Sequence, residues 1–289
     1  MTRRFRRFAC IDWSGAKGDR QKGIAIAISD GPGRTPKLIE RAWSREGVLA
    51  WLLDHARRRS DLLVGIDFST AFPFLDAGAY FPGWAHSPAD ARALWSLIDA
   101  ICADDPHLEA GSFVDHPQAS RHFRRHGGRQ GDLFGPGNGR YRLVERVCRD
   151  DRHGPATSCF NLVGAAQVGK SSLTGMRLLH RLDGRLPVWP FDPLPSVGPL
   201  IVEIYTTVAA RQAGLGGGSK MRDADRLRAG LAGYGIHRPP ALARYDDHST
   251  DAILTAAWLA EAAARTDLWH PPALTPEVIA SEGWTFGIP

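Results

Sequence analysis

Cysteine is scarce and scattered: four residues, at 10, 102, 148 and 159, with no Cys-x-x-Cys pair. That spacing excludes a zinc ribbon and a disulfide framework, and the expectation is reduced, mostly buried thiols. Long apolar runs are missing as well. No stretch reaches the roughly 18 consecutive apolar residues that a membrane-crossing helix needs. The basic start, Met1 to Arg7, leads into a strand pattern rather than the apolar segment of a secretory leader, so a cytoplasmic protein without a membrane partner is expected. No internal repeat is visible, which excludes a solenoid. Lysine is the last scarcity: it stands only at 17, 22, 37, 170 and 220, leaving 31 arginines among the 36 basic residues. Arginine's planar fork suits phosphate, so the net charge of +5 permits a nucleic-acid partner. A compositional bias toward Arg, Ala, Gly and Pro accounts for the same numbers.

What is present is organised around Asp12. Phe8 to Ile11 is an apolar run that ends in this carboxylate and then a small-residue turn, Ser14-Gly15. The pattern predicts a buried strand carrying its one charge out at the edge of a sheet. Strand patterns follow at Gly23–Ile28 and Lys37–Trp43, and their short links predict an antiparallel meander. Ser44 reads as the N-cap of a helix with an apolar stripe through Val48, Leu49, Leu52, Leu53 and Ala56. Leu62–Phe68 then repeats the first motif, with Asp67 near its end, and should lie parallel to the first strand.

From 69 to 199 this rhythm is lost in a segment rich in Pro, Gly, Trp and His, with modest helical stretches such as Ala89–Ala103. Nine arginines and four acids fall between 121 and 152, which predicts a basic insertion serving as a lid or a nucleic-acid contact surface. A merely solvated excursion is the competing reading. His116, His122 and His126 lie there in an Arg-, Gly- and Pro-rich context that predicts an exposed loop rather than zinc. Regular structure resumes at Leu200–Tyr205, a strand carrying Glu203. A helix is predicted over 219–231 and another through Ala252–Ala260, the latter opened by Asp246-Asp247-His248-Ser249-Thr250-Asp251. A Pro-rich tail closes the sequence.

Asp247 and Asp251 are spaced to share one helix face, and acids there also cap a helix and complement its dipole. Together, Asp12, Asp67, Glu203, Asp247 and Asp251 form a candidate set of hard oxygen ligands for Mg²⁺ or Mn²⁺. Two such cations activate water and stabilise the leaving oxygen of a phosphodiester. The order of elements resembles the ribonuclease H-like fold. In finer detail, Ile11-Asp12-Trp13-Ser14-Gly15, Gly65-Ile66-Asp67-Phe68-Ser69, Val202-Glu203-Ile204-Tyr205 and Asp246 to Ala252 resemble the predicted nucleases called domain-of-unknown-function family 429. Gly164-Ala165-Ala166-Gln167-Val168-Gly169 and Val188-Trp189-Pro190-Phe191 are similar to stretches of some members. The chain departs from the family at Tyr205-Thr206-Thr207, where members often carry His-Pro. The resemblance implies an α/β fold, a ribonuclease H-like mixed sheet with flanking helices and a large irregular insertion. It implies a single domain over 1–289, with its core in 1–68 and 200–265, the insertion at 69–199 and the tail at 266–289, and a metal-dependent nuclease as its activity.

Three other readings stay open. Gly164, Gly169, Lys170 and Ser171 match the phosphate-loop pattern G-x-x-x-x-G-K-[ST] after an apolar stretch, Cys159–Val163, and before a helix through Leu173, Met176, Leu178 and Leu179. The Pro-rich run that follows, 186–199, does not supply the further strand and acid of a nucleotide domain. A catalytically silent nucleic-acid-binding module would use the scaffold without metal. A sugar-kinase-like phosphotransferase shares the strand-Asp-turn opening but needs a second domain of comparable size.

Overall fold

The structure, a computed structural model, describes residues 5–150, 156–164, 168–216 and 221–289. In chain order its strands and helices are β1 (Arg7–Asp12), β2 (Ala25–Ser29), β3 (Lys37–Leu38), α1 (Arg45–Arg57), β4 (Leu62–Ile66), α2 (Ala91–Ile101) and α3 (Gly111–Asp115). There follow α4 (Leu143–Asp150), α5 (Val168–Leu182), β5 (Val188–Trp189), β6 (Leu200–Glu203), α6 (Thr206–Gln212), α7 (Ala224–Ala232), α8 (Asp247–Ala262) and α9 (Pro276–Ser281). The protein is α/β, with one mixed six-stranded sheet in the order β3-β2-β1-β4-β6-β5 and helices on both faces.

β1, β2 and β3 form the expected antiparallel meander, while β1, β4, β6 and β5 run parallel. The strand alternation sorts side chains into two cores. Ala9 and Ile11 of β1, Leu62, Val64 and Ile66 of β4, and Ile201 of β6 face the core shared with α1, α2 and α5. Phe8 and Cys10, Leu63, and Leu200 and Val202 face the core shared with α6, α7 and α8. Helix starts follow the cap chemistry: Ser44, Asp90, Asp223, Asp246 and Thr275 each accept a backbone N–H in the first turn of α1, α2, α7, α8 and α9.

The segment 69–199 is far more regular than its composition predicts. α5 runs for 15 residues with Leu173, Met176, Leu178 and Leu179 buried, and β5 adds an edge strand to the sheet. A cluster of Phe72, Phe81, Phe113, Phe123 and Phe160 joins the first core. The elements here are too short, and too often interrupted by Pro and Gly, for periodicity to register. The tail is also part of the packing: Trp284, Phe286 and Ile288 are fully buried, and Phe286 N donates to Glu203 O. All four cysteines are free and buried.

Candidate carboxylate site

Parallel pairing in the register Ile11↔Ile66 brings Asp12 and Asp67 to the same sheet edge, and the Asp67 amide donates to the Ile11 carbonyl at 3.0 Å. Alternation then gives both carboxylates the face of Phe8, Cys10 and Leu63, which is the face α8 covers. Asp246 caps α8 through the Ser249 N–H, so the first turn carries His248 and then Asp251 over this edge. His248 Nδ1 lies 3.2 Å from Oδ1 of Asp12, and Thr206 Oγ1, at the start of α6, donates to Oδ2 of Asp67 at 3.2 Å.

The electrostatics couple these groups. Burial raises the pKa of Asp12, and the contact with His248 only partly offsets that. Asp67 is held well above the ordinary carboxylate range, by burial first and then by the charges of Asp12 and Asp251. Burial and the charges of Asp12, Asp67 and Asp251 likewise push up the thiol of Cys10 beneath them. Hence Asp12, Asp67 and Asp251 act on one common volume. His248, whose side chain is 46% exposed, has its pKa raised by the hydrogen bond to Asp12.

The other two acids of the expected set are engaged elsewhere. Asp247 accepts both arms of the Arg222 guanidinium, at 2.8 and 2.9 Å, and reaches Asp12 only through its field. Glu203 departs from the expectation of an open metal ligand. It shares the strand parity of Ile201, which faces the α5 core, whereas Asp12 and Asp67 face α8. There, fully buried, it accepts both arms of Arg142, the amide and hydroxyl of Thr70, and the hydroxyl of Thr285. Burial alone would raise its pKa, but Arg142, Thr285 and Thr70 more than reverse this and hold the carboxyl below the usual range. Arg142 also binds Glu145, and the oxygens of Glu282 accept the amides of Phe74, Leu75 and Leu143. Glu203 is the centre of a brace joining β6, the segment after β4 and the tail.

Among the described residues, the one group whose ligand atoms already lie within metal-binding reach of one another is Asp19, Glu46 and His107, mostly exposed and remote from the expected set. The three histidines of 116–126 do not form such a group. His116 stacks on Trp84, His122 is buried against Phe81, and His126 meets Lys170.

The glycine-rich stretch lacks the strand that a phosphate loop needs: Cys159–Val163 is not part of the sheet. Residues 165–167 lie outside the described residues. Gly169 has a packing reason to be glycine, since a Cβ would stand 2.1 Å from the Cys159 carbonyl oxygen. Yet this stretch adjoins the turn after β1. A Cβ on Gly15 would fall 2.4 Å from the Lys170 carbonyl carbon, so only glycine lets that turn rest on the first turn of α5.

Arginines 121–152 are partly consumed within the fold. Arg121, Arg125 and Arg140 pair with Asp132, Asp115 and Asp76, and Arg142 is buried with Glu203 and Glu145. Arg124, Arg129, Arg146 and Arg149 are exposed without a carboxylate partner among the described residues, and Arg152 lies outside them. No helix among the described residues is long and apolar enough to cross a membrane.

The motif reading missed three participants: His248, Thr206 and Arg142. His248 was signalled by its i, i+3 spacing to Asp251, which places both on one side of a helix. Arg142 carried no signal, because its partner is 61 residues away. Compared with known proteins, the chain matches no family model, no curated protein and no solved structure.

Proposed function

We propose that the protein is a divalent-metal-dependent nuclease, with Asp12, Asp67 and Asp251 as its metal-holding carboxylates. One observation carries this reading: three acids at the edge of the parallel strands raise one another's proton affinity in a largely buried setting. Such an arrangement costs stability unless positive charge compensates it. The donor set fits a hard cation, because it is all carboxylate oxygen and its repulsion is what a cation relieves. A bound Mg²⁺ or Mn²⁺ supplies water activation and stabilises the leaving oxygen of a phosphodiester.

The chain's own groups take the remaining roles. Asp12 lies between Asp67 and His248 and is the bridging candidate. Thr206 orients Asp67 through its hydroxyl. His248, half in solvent and hydrogen-bonded to Asp12, is placed to hold or return a proton at Nδ1. Glu203 and Asp247 are supports and not ligands: one braces the sheet and the other ties α8 to Arg222.

The strand order supports a ribonuclease H-like reading of the fold, with an antiparallel three-strand meander continued by parallel β4 and β6. The resemblance to family 429 rests on the same motif residues. The test is calorimetry and thermal melting with Mn²⁺, alongside cleavage of labelled DNA and RNA. Asp12→Asn should stay folded and lose both the metal-induced shift and cleavage. Cleavage equal to wild type, or a wild type indifferent to Mn²⁺, overturns the proposal.

A further inference from the structure

On the other side of the turn that follows Asp12 lies a cavity of about 170 Å³. Its walls come from that turn, from α3, from the loop at 125–129 and from the first half of α5. Lys17, Arg125, Arg129 and Lys170 line it, together with the acids Glu109 and Asp115. Both acids are engaged: Asp115 pairs with Arg125 at 3.0 Å, and Glu109 Oε1 accepts the Gly18 amide at 2.6 Å. Among the described residues no carboxylate pairs with Lys17, Arg129 or Lys170. The Lys170 ammonium instead donates to Nε2 of His126 at 2.9 Å. Burial and the neighbouring charge of Lys17 lower its pKa, which marks like charges held together. Val114, Leu162 and Leu173 form an apolar wall behind these cations.

We infer that this cavity takes a phosphate group of the nucleic-acid strand whose scissile bond lies at the carboxylates. Three cations converge on a concave site with an apolar back, which suits a phosphate and the sugar attached to it. The contact of Gly15 with α5 fixes Lys17 and Lys170 relative to each other and to Asp12 at the end of β1. A strand entering over Ser14 and Gly15 therefore meets acids on one side of the turn and cations on the other. The identity of the strand rests on the nuclease reading; the phosphate site itself does not.

Binding is measured in EDTA, so that metal and cleavage play no part, with fluorescent single-stranded DNA bearing or lacking a 5′-phosphate. Lys17→Met with Lys170→Met should weaken binding on the order of tenfold and flatten the salt dependence by about 1.4 in log–log slope, at about 0.7 per lost phosphate contact. Arg129→Gln, at an exposed position, should act in the same direction. Asp12→Asn should bind as wild type does. Loss confined to the 5′-phosphorylated strand assigns an end phosphate, and equal loss on both strands assigns an internal one. If the double variant and Arg129→Gln, shown to be folded by circular dichroism, bind both strands with wild-type affinity and salt slope, the inference is overturned. Should cleavage fail while this dependence persists, the nuclease reading falls and the phosphate site stands.

Discussion

Nδ1 of His248 and Oδ1 of Asp12 face each other at 3.2 Å, one from α8 and one from β1. Both groups have raised pKa values, the acid because it is buried and the imidazole because the acid is beside it. A histidine raised in the folded state stabilises fully below its unfolded pKa, and that contribution disappears as pH rises through the folded value. His248→Gln should therefore lower metal-free stability at pH 5.5 and leave it unchanged at pH 8.5. Half-exposed, the pair is worth less than about 1 kcal/mol. Urea midpoints at the two pH values check this.

Asp67 carries the opposite consequence from an ordinary surface acid. Its folded pKa is raised, so the ionised form is disfavoured in the fold and the metal-free protein should lose stability as pH rises from about 4 through that value. Asp67→Asn removes the charge and keeps the size. Melting at pH 7 in EDTA should rise by a few degrees, roughly the effect of 1–2 kcal/mol in a chain of this size. The same variant should gain nothing from Mn²⁺, so that the ranking of the two proteins reverses when metal is added.

Glu203→Gln separates the brace from the site. Losing the charge opposite a fully buried Arg142 leaves an uncompensated guanidinium, at a cost of about 3–5 kcal/mol. If the variant folds at low temperature, its Mn²⁺-induced shift should match that of wild type. A lost shift would make Glu203 a ligand after all.

Gly15→Ala tests the contact between the β1 turn and α5. The added carbon would sit 2.4 Å and 2.5 Å from the backbone of Lys170 and Ser171, where no side chain can swing away. Destabilisation of about 1–3 kcal/mol is expected from overpacking. DNA binding in EDTA should weaken with it, because Lys17 is displaced. Thermal melting and fluorescence anisotropy read the two effects.

The legible parts of the site were those a single strand announces by itself. Asp12 and Asp67 each end an apolar run, and parallel pairing across one helix follows from right-handed connection geometry. Glu203 shows where that reasoning stops. A four-residue strand with an acid at its end looks the same whichever way the acid faces, and a one-residue change of parity decides the matter. The partner that settles it, Arg142, comes from a segment whose periodicity is too broken to read. Asp247 was placed on the correct helix, but the salt bridge that occupies it depends on how the turn before α7 lies against α8. The 15 residues of α5 were visible as an apolar stripe, whereas the two of β5 were below any pattern's resolution.

The pairing of β4 with β6, Leu63 with Leu200 and Ile66 with Glu203, also sets when the molecule matures. The meander of β1 to β3 and its link to β4 close short loops, but the seam between β4 and β6 joins positions well over a hundred residues apart. Chain entropy makes such a seam slow to find, and it rewards the chain only after the intervening segment has condensed. α8, which brings His248 and Asp251, lies beyond the seam in the chain. The acids are thus kept apart through the early stages of folding, when no packed interior exists to confine a cation, and their mutual repulsion is met at the final consolidation of the sheet.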